Sequence, residues 1–237
     1  MRPFFSFYGS KYRIAKRYPA PVQNTIIEPF AGSACFSLHY YKRKIVLNDI
    51  DPIVFGVWDF LIKSSSVDIL NLPILEIGQN VDDLKICQEA KHLIGFNLNK
   101  GKATPSKTLS KWARDIRYKN QFWSTNKREL IARQVNLINH WKITNKSYEQ
   151  LENQNGYWFI DPPYQKKGYA YKQSEIDYKH LAKWSKNRNG TIIVCEGEKA
   201  NWLPFQHFLN AKSNHKTKTN IEKVYIKNQS LQLTFLQ

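Results

Sequence analysis

The chain has 237 residues, and its 36 Lys and Arg outnumber 19 Asp and Glu, giving a formal net charge of +17. Hydrophobic residues make up 42% of the sequence and aromatic residues 14%, which is enough apolar material for a core and excludes a disordered chain. There is no apolar run of about 18 residues, as a transmembrane helix needs, and no apolar stretch of the signal-peptide type near Met1. We therefore expect a cytoplasmic protein without a membrane partner.

The excess of positive charge indicates a polyanionic partner, most simply a nucleic acid. Charge alone does not separate DNA from RNA, and a basic ribosomal protein has a similar balance. The three cysteines, Cys35, Cys87 and Cys195, lie far apart, and no Cys or His has zinc-ligand spacing. This pattern predicts reduced thiols and no metal site.

The first fifty residues predict a parallel α/β unit. A helix is expected from about Ser10 to just before Pro19, because proline cannot continue a helix. The next predicted elements are a strand over 25–27, a turn over 28–33, a helix over 34–41 and a strand over 45–47.

The remainder of the chain continues the alternation of helices and strands. Helices are predicted over 53–63, within 79–98, over 128–141 and over 178–187. Strands are predicted over 158–160 and 191–195, and a terminal hairpin is predicted between 224–226 and 231–235.

A basic tract interrupts this pattern at 100–133. Ten Lys and Arg in it face two acidic residues, so nearly half of the net charge, +8, lies in 34 residues. A second basic stretch, 212–223, is predicted to be a loop. The residues we expect to contact phosphates are Lys100, Lys102, Lys107, Lys111, Arg114, Arg117, Lys119, Lys216 and Lys218.

The sequence Asp161-Pro162-Pro163-Tyr164 directly follows the predicted strand 158–160. In an open α/β sheet, ligands bind beyond the carboxyl ends of the strands. Consecutive prolines remove amide donors and leave carbonyl acceptors, so a carboxylate, a carbonyl and an aromatic ring together suit a flat ring with an exocyclic NH2 group. The alternative is an ordinary turn at the end of a strand.

A glycine turn and an acidic residue complete the pattern. Gly32 lies between a predicted strand and helix, where a backbone can approach a ligand closely, and Asp49 ends the second strand, where an acidic side chain binds a ribose diol. The alternatives are a helix-packing glycine and a helix cap at Asp49 or Asp51. The G-x-G-x-x-G, Walker A and G-x-S-x-G patterns do not occur. Together the motifs favour a nucleoside-bearing cofactor beside an amino-purine or amino-pyrimidine.

These motifs resemble those of the Dam-type DNA adenine-N6 methyltransferases. The matching segments, in the family's order, are Phe7-Tyr8-Gly9-Ser10-Lys11-Tyr12, Glu28-Pro29-Phe30-Ala31-Gly32-Ser33, Leu47-Asn48-Asp49-Ile50, Phe96-Asn97-Leu98-Asn99-Lys100-Gly101 and Phe159-Ile160-Asp161-Pro162-Pro163-Tyr164. Ala34 stands where many members have a second glycine, and the stretch between Gly101 and Asp161 is shorter than in the best-known members.

The resemblance implies an α/β fold with a Rossmann-like methyltransferase sheet, helices on both of its faces, and a small, mainly helical, basic target-recognition insertion. The cofactor-binding part would cover 1–99, the insertion 100–147 and the catalytic part 148–237. The implied cofactor is S-adenosylmethionine, and the residues implied to bind it are Phe7, Lys11, Glu28, Phe30, Gly32, Asp49 and Asp161. The implied setting is the cytoplasm of a bacterial or phage-infected cell.

The resemblance also implies the reaction. The turn Asp161, Pro162, Pro163 and Tyr164 would hold a flipped adenine of double-stranded DNA, and methyl transfer to N6 would be direct and in line, without a metal. Three alternatives stay open: methylation of adenine N6 in RNA, methylation of cytosine N4 in DNA, and a catalytically silent DNA-binding relative. The last would be expected to have lost Asp161 or Lys11, and both are present.

Overall fold

A mixed β-sheet lies at the centre of an α/β fold. The structure, a computed structural model, describes residues 1–110, 122–165, 175–212 and 219–228. In this part of the chain the strands are β1 (Thr25–Glu28), β2 (Lys44–Asn48), β3 (Lys142–Thr144), β4 (Gly156–Ile160), β5 (Gly190–Gly197), β6 (Gln206–Lys212) and β7 (Thr219–Lys227). The helices are α1 (Pro52–Lys63), α2 (Ser66–Leu70), α3 (Gln88–Asn97), α4 (Thr125–Val135) and α5 (Tyr178–Lys186). Short 3-10 helices cover Ala15–Arg17, Ser37–Tyr40, Val81–Asp83, Asn136–Ile138 and Tyr148–Gln150.

The strand order is β3-β2-β1-β4-β5-β7-β6. The first five strands of that row are parallel, whereas β7 runs antiparallel to both β5 and β6. After β1 the chain forms β2 and β3 on one side of β1, and it later forms β4 and β5 on the other side. The strand order therefore changes direction between β1 and β4. Open α/β sheets bind ligands at such a switch point, beyond the carboxyl ends of the strands.

The sheet is buried on both faces. Along β4, Tyr157 and Phe159 belong to the core that α1, α3 and α4 share, whereas Trp158 and Ile160 pack with Leu181 and other residues of α5 on the opposite face. This alternation follows from the two-residue period of a strand. Because both faces are covered, the parallel strands β1, β2, β4 and β5 are mainly apolar, which is why the sequence predicted them well.

Side-chain caps define where the helices begin. The Asp51 carboxylate accepts a hydrogen bond from the N–H of Ile53 at 2.9 Å, and Pro52 occupies the first turn of α1. The Asp177 carboxylate accepts from the N–H groups of Lys179 and His180 at the start of α5. None of the helices in the described ranges is long and apolar enough to cross a membrane.

Two helix predictions are wrong. Between Ser10 and Pro19 the structure contains only the short 3-10 helix Ala15–Arg17, and the Lys11 side chain enters a buried cluster. Over 34–41 only Ser37–Tyr40 is helical. Ala34 has a φ of +47°, which interrupts a right-handed helix, and the N–H of Ser37 donates to a side chain rather than to a helical carbonyl.

The C-terminal part differs from the expectation as well. Residues 224–226 form part of β7, but the hairpin that the structure describes joins β7 to β6, and the expected partner 231–235 lies outside the described residues. The predicted loop 212–223 is wrong at 212, the last residue of β6, and over 219–223, which belong to β7, and 213–218 lie outside the described residues. Burial alternates along this strand at Glu222, Val224 and Ile226, as expected of a strand with one face in the core.

The stretch assigned to the insertion, 100–147, contains parts of the main fold. Trp123 and Ile131 belong to the main core, and β3 pairs with β2 in the central sheet. The helix α4 packs against α2.

Candidate functional site

A cavity of about 490 Å³ lies where β1, β2 and β4 end. Its wall is built from the turn after β1, the end of β2, the turn after β4 and the N-terminal segment 7–11. Because the strand order changes direction between β1 and β4, the segments that follow these strands meet at one edge of the sheet. The cavity is therefore at the position that the strand order alone favours for a ligand.

The turn after β1 depends on a glycine. Gly32 has a φ of +46°, and a Cβ atom there would lie 3.1 Å from Cδ1 of Phe7. The carbonyl of Gly32 accepts a hydrogen bond from Nε1 of Trp58 at 2.8 Å. The backbone conformation and the Phe7 ring together leave no room for a side chain at this position.

The carboxylate of Asp49 closes the same turn. Its Oδ2 accepts from the N–H of Gly32 at 2.9 Å, and its Oδ1 accepts from the N–H of Asp51 at 3.0 Å. Burial raises the pKa of Asp49 to about 6, although these two hydrogen bonds oppose the shift. The carboxylate keeps further lone pairs that can accept hydrogen bonds from a ligand in the cavity.

A cluster of charged side chains connects the N-terminal segment to the turn after β4. Nζ of Lys11 lies 3.3 Å from Oδ1 of Asp161 and 2.8 Å from Oε1 of Glu222, and it also donates to the hydroxyl of Tyr164. The Tyr164 hydroxyl donates to Oε1 of Glu222 at 2.6 Å, and the Tyr18 hydroxyl donates to the same oxygen at 3.0 Å. One ammonium group thus serves two carboxylates.

Burial and charge shift the pKa values in this cluster. Burial raises the pKa of Asp161 to about 7, and the charges of Glu222 and Glu196 act in the same direction, whereas Lys11 opposes them. Burial favours the neutral form of Lys11, but the carboxylates of Asp161 and Glu222 outweigh it and raise the lysine pKa. At neutral pH, therefore, Lys11 is charged and Asp161 is close to its titration midpoint.

Glu28, the last residue of β1, is a second buried carboxyl group in the wall. It is 2% exposed, and Oε1 accepts from the N–H of Ser37 at 2.8 Å. Burial raises its pKa to about 8, against the effect of the hydrogen bonds from Ser37. Glu28 is therefore largely protonated at neutral pH and is poised to ionise beside a cation.

All seven residues that the resemblance implies for cofactor binding line this one cavity. They are Phe7, Lys11, Glu28, Phe30, Gly32, Asp49 and Asp161. Of the turn after β4, Asp161 and Pro163 are in the wall, whereas Pro162 is buried behind it and Tyr164 directs its hydroxyl toward Lys11 and Glu222. The carbonyl of Pro163 accepts from the Tyr178 hydroxyl at 2.7 Å, which attaches the turn to α5.

The structure adds residues that the sequence did not indicate. Glu222 reaches the cluster from β7, and Glu196 on β5 holds the chain after Tyr164, because its Oε1 accepts from the N–H of Gln165 at 2.8 Å. Neither belongs to a recognisable motif, and Glu222 lies in a stretch predicted to be a loop. Tyr148 and residues 175–177 form another part of the cavity wall.

The wall is acidic although the protein is strongly basic. Among the described lining residues, seven are acidic and two are lysines. The acidic residues are Glu28, Asp49, Asp51, Glu149, Asp161, Glu175 and Asp177. Glu28 is largely protonated at neutral pH, but the other acidic residues still outnumber the two lysines, so the wall favours a ligand with positive charge.

Three of the expected phosphate contacts lie in the described ranges. Lys102 is exposed and adjoins Ala103 in the cavity wall, and its carbonyl accepts from the N–H of Tyr8 at 3.1 Å. The Lys100 ammonium lies 5.4 Å from the centre of the Phe122 ring, and Nζ of Lys107 is 2.6 Å from Oδ2 of Asp82. The other expected contacts lie outside the described residues: Lys111, Arg114, Arg117, Lys119, Lys216 and Lys218.

No protein-family model matches the sequence, and no curated protein matches it significantly. The residues and their geometry must therefore support the function on their own. In the described ranges, no group of three or more His, Cys, Asp and Glu side chains is arranged to hold a metal ion.

Proposed function

We propose that this protein is an S-adenosylmethionine-dependent DNA methyltransferase that modifies N6 of adenine in specific sites, and that its sheet is a Rossmann-like methyltransferase sheet. One observation carries the proposal: the N-terminal motif, the glycine turn, Asp49 and Asp161 are far apart in sequence but line one acidic cavity. The motif resemblance implies the same task, cofactor binding, for each of these residues.

The cavity wall suits this cofactor better than a nucleotide phosphate. Phe7 and Phe30 provide apolar surface, and Asp49 provides acceptors for a ribose diol. The N–H of Gly32, which a pyrophosphate would need, already donates to Asp49. The excess of carboxyl groups favours the sulfonium and ammonium charges of S-adenosylmethionine and opposes a polyphosphate.

In the proposed reaction, Asp161 acts on the target base. S-adenosylmethionine supplies a methyl group that is already activated by its positively charged sulfur. The Asp161 carboxylate in the cavity wall accepts a hydrogen bond from the adenine NH2 group, which favours the pyramidal, more nucleophilic nitrogen. The Pro162 carbonyl, which the resemblance implies as a second acceptor, belongs to a buried residue outside the cavity wall. The nitrogen then forms its bond to the methyl carbon while the carbon–sulfur bond breaks, the electron pair stays on sulfur, and the nitrogen releases one proton. Orientation of this kind is worth roughly 7–11 kcal/mol.

The target base must leave the duplex to reach Asp161. Base flipping costs a few kcal/mol, and contacts with the phosphates flanking the base offset that cost. Lys102 is exposed beside the cavity wall, where such contacts are needed. The resemblance implies that this activity takes place in the cytoplasm of a bacterial or phage-infected cell.

Transfer of a tritiated methyl group to duplex DNA and to structured RNA, at one salt concentration, tests the proposal. We expect label in duplex DNA, recovered as N6-methyladenine after digestion to nucleosides. Label only in RNA, or its recovery as N4-methylcytosine, would show that the substrate is different and that the reaction is still methyl transfer to an amino group. A chain that retains DNA but neither binds S-adenosylmethionine nor transfers label would be the silent relative, and the proposal would be rejected.

A further inference from the structure

Glu222 is a buried carboxylate that the motifs do not include. It lies on β7, where the antiparallel register places it opposite Gly197, at the carboxyl end of β5. Its Oε1 receives the ammonium of Lys11 at 2.8 Å and the hydroxyls of Tyr164 and Tyr18 at 2.6 and 3.0 Å. Three groups thus converge on a single oxygen, next to the residue that we assign to the target base.

Without Glu222, Asp161 would be the one carboxylate in contact with the Lys11 ammonium in the described part of the chain. A lone ammonium beside a carboxylate lowers the carboxyl pKa by about 1–3 units, which makes the carboxylate a weak proton acceptor. In the structure, Nζ of Lys11 is closer to Glu222, at 2.8 Å, than to Asp161, at 3.3 Å. The lysine charge is therefore shared, and the negative charge of Glu222 raises the Asp161 pKa.

We propose that Glu222 is a positioning residue for methyl transfer: by sharing the charge of Lys11, its carboxylate keeps Asp161 able to accept the proton that the target amino group releases. The inference rests on the proposed function. It assigns to Glu222 an electrostatic role, exercised through Lys11 and Asp161, and no contact with the base.

Charge balance across the reaction supports this role. With both carboxylates ionised, Lys11, Asp161 and Glu222 have a net charge of −1. Before transfer, the positive charge next to the cluster is on the sulfur. After transfer, it is on the proton that the nitrogen releases. When Asp161 takes that proton, the site is neutral in both states, and because the Asp161 side chain is 22% exposed in the cavity wall, the proton can pass to water as the products leave.

Several titratable groups from different elements surround Glu222 and Asp161. They are Lys11 and Tyr18 from the N-terminal segment, Glu28 from β1, Tyr164 after β4, and Cys195 and Glu196 from β5. Burial raises the pKa values of Tyr18, Tyr164 and Cys195 well above their ordinary values, so these groups stay neutral. The Glu196 carboxylate is engaged by the N–H groups of Gln165 and Gly197 and by Nε1 of Trp202.

Proton uptake on binding tests the role without relying on turnover. Calorimetric titrations at pH 7.5, in two buffers of different ionisation enthalpy, give the protons taken up with S-adenosylmethionine and with its neutral thioether product, S-adenosylhomocysteine. We expect the wild-type protein to take up a larger fraction of a proton with the neutral product, because only then does Asp161 gain a proton. Glu222→Gln should reduce this difference, since Asp161 then loses the negative charge that opposes Lys11.

Two variants separate charge from structure. Glu222→Asp keeps the charge and should keep the difference in proton uptake, and Tyr18→Phe removes one hydrogen bond to Glu222 without altering charge and should keep it as well. In methyl transfer, Glu222→Gln should also shift the acid limb of the kcat profile to lower pH by about one unit or more.

The outcomes also separate this inference from the proposed function. Equal proton uptake with the two ligands in the wild-type protein, or an undiminished difference in a folded Glu222→Gln variant, would overturn the role of Glu222 while methylation stands. Absence of both cofactor binding and methyl transfer in the wild-type protein would instead remove the proposed function. If Glu222→Gln does not fold, equal uptake with the two ligands in the wild-type protein still overturns the role, and the comparison with Glu222→Asp tests it.

Discussion

The N–H of Gly32 donates to Oδ2 of Asp49 at 2.9 Å, which joins the turn after β1 directly to the end of β2. Because β1 and β2 are parallel neighbours, their carboxyl ends lie side by side, and the two residues meet although they are 17 positions apart. Asp49 therefore does two things: it closes the glycine turn and it offers acceptors to the cavity. A change to the turn should thus affect both stability and cofactor binding.

Gly32→Ala tests this coupling. We expect a loss of about 1–2 kcal/mol in the free energy of unfolding, because φ is +46° and the new methyl group would lie 3.1 Å from the Phe7 ring. The affinity for S-adenosylmethionine should fall at least severalfold, since Phe7 and the turn both line the cavity. Denaturant unfolding and calorimetry measure the two effects.

Gly78→Ala is the matched control for that change. Gly78 also has a positive φ, +92°, but a Cβ atom there would meet nothing within 4 Å. The Gly78→Ala variant should lose stability through backbone strain and keep the wild-type affinity for S-adenosylmethionine. Equal loss of affinity in the two variants would show that the Gly32 turn has no special relation to the cavity.

Asp161→Asn should abolish methyl transfer and leave DNA retention largely intact. The amide is nearly isosteric with the carboxylate, but it cannot take up a proton and offers one acceptor oxygen instead of two. We expect kcat to fall by about 10²-fold or more, as when a group that stabilises charge in a transition state is removed. Single-turnover labelling measures the rate and filter retention measures DNA binding; a rate within a few-fold of wild type would reject the assignment of Asp161.

The sequence predicted the parts of the fold that depend on local pattern. The strands β1, β2, β4 and β5 were located to within a few residues because buried parallel strands are apolar runs. By contrast, β3 has three residues that are at most half-buried, and β6 lies on the sheet edge next to β7, so neither has a strong apolar pattern.

The sequence likewise predicted only those site residues that belong to a local motif. Motif residues such as Lys11 and Asp161 were found because their spacing resembles that of a family, and the structure brings them to one cavity. Glu222 has no such spacing. Its position depends on the antiparallel pairing of β7 with β5, which is a long-range property that no local pattern in the sequence specifies.

The Glu28 carboxyl predicts a pH dependence of stability. Its pKa is about 8 in the folded protein against an ordinary value of 4.5, so the folded state holds the proton more tightly than the unfolded state. Between pH 4.5 and 8, therefore, each rise in pH lowers the free energy of unfolding through this group, and above pH 8 that loss is complete. Asp49 and Asp161, whose pKa values are also raised, act in the same direction at lower pH.

Glu28→Gln isolates that contribution. The glutamine oxygen can still accept from the N–H of Ser37, but it does not ionise. We expect the variant to exceed the wild-type Tm at pH 8, by about 2–4 °C for each kcal/mol of stability that the wild type loses there, and to match it closely at pH 5. Thermal unfolding followed by circular dichroism gives both values; a Tm difference independent of pH would contradict the raised pKa of Glu28.

Lys102 and Lys107 should differ in their contribution to DNA binding. Both are exposed, but Nζ of Lys107 is held by Asp82 at 2.6 Å, whereas Lys102 lies next to the cavity wall. Lys102→Ala should lower the slope of log Kd against log salt by about one and weaken binding to all duplex sequences alike, as expected for a phosphate contact. Lys107→Ala should have a smaller effect, because its ammonium must first leave Asp82. Fluorescence anisotropy over a range of salt concentrations measures both slopes, and an equal change in the two variants would indicate that neither lysine has a defined phosphate partner.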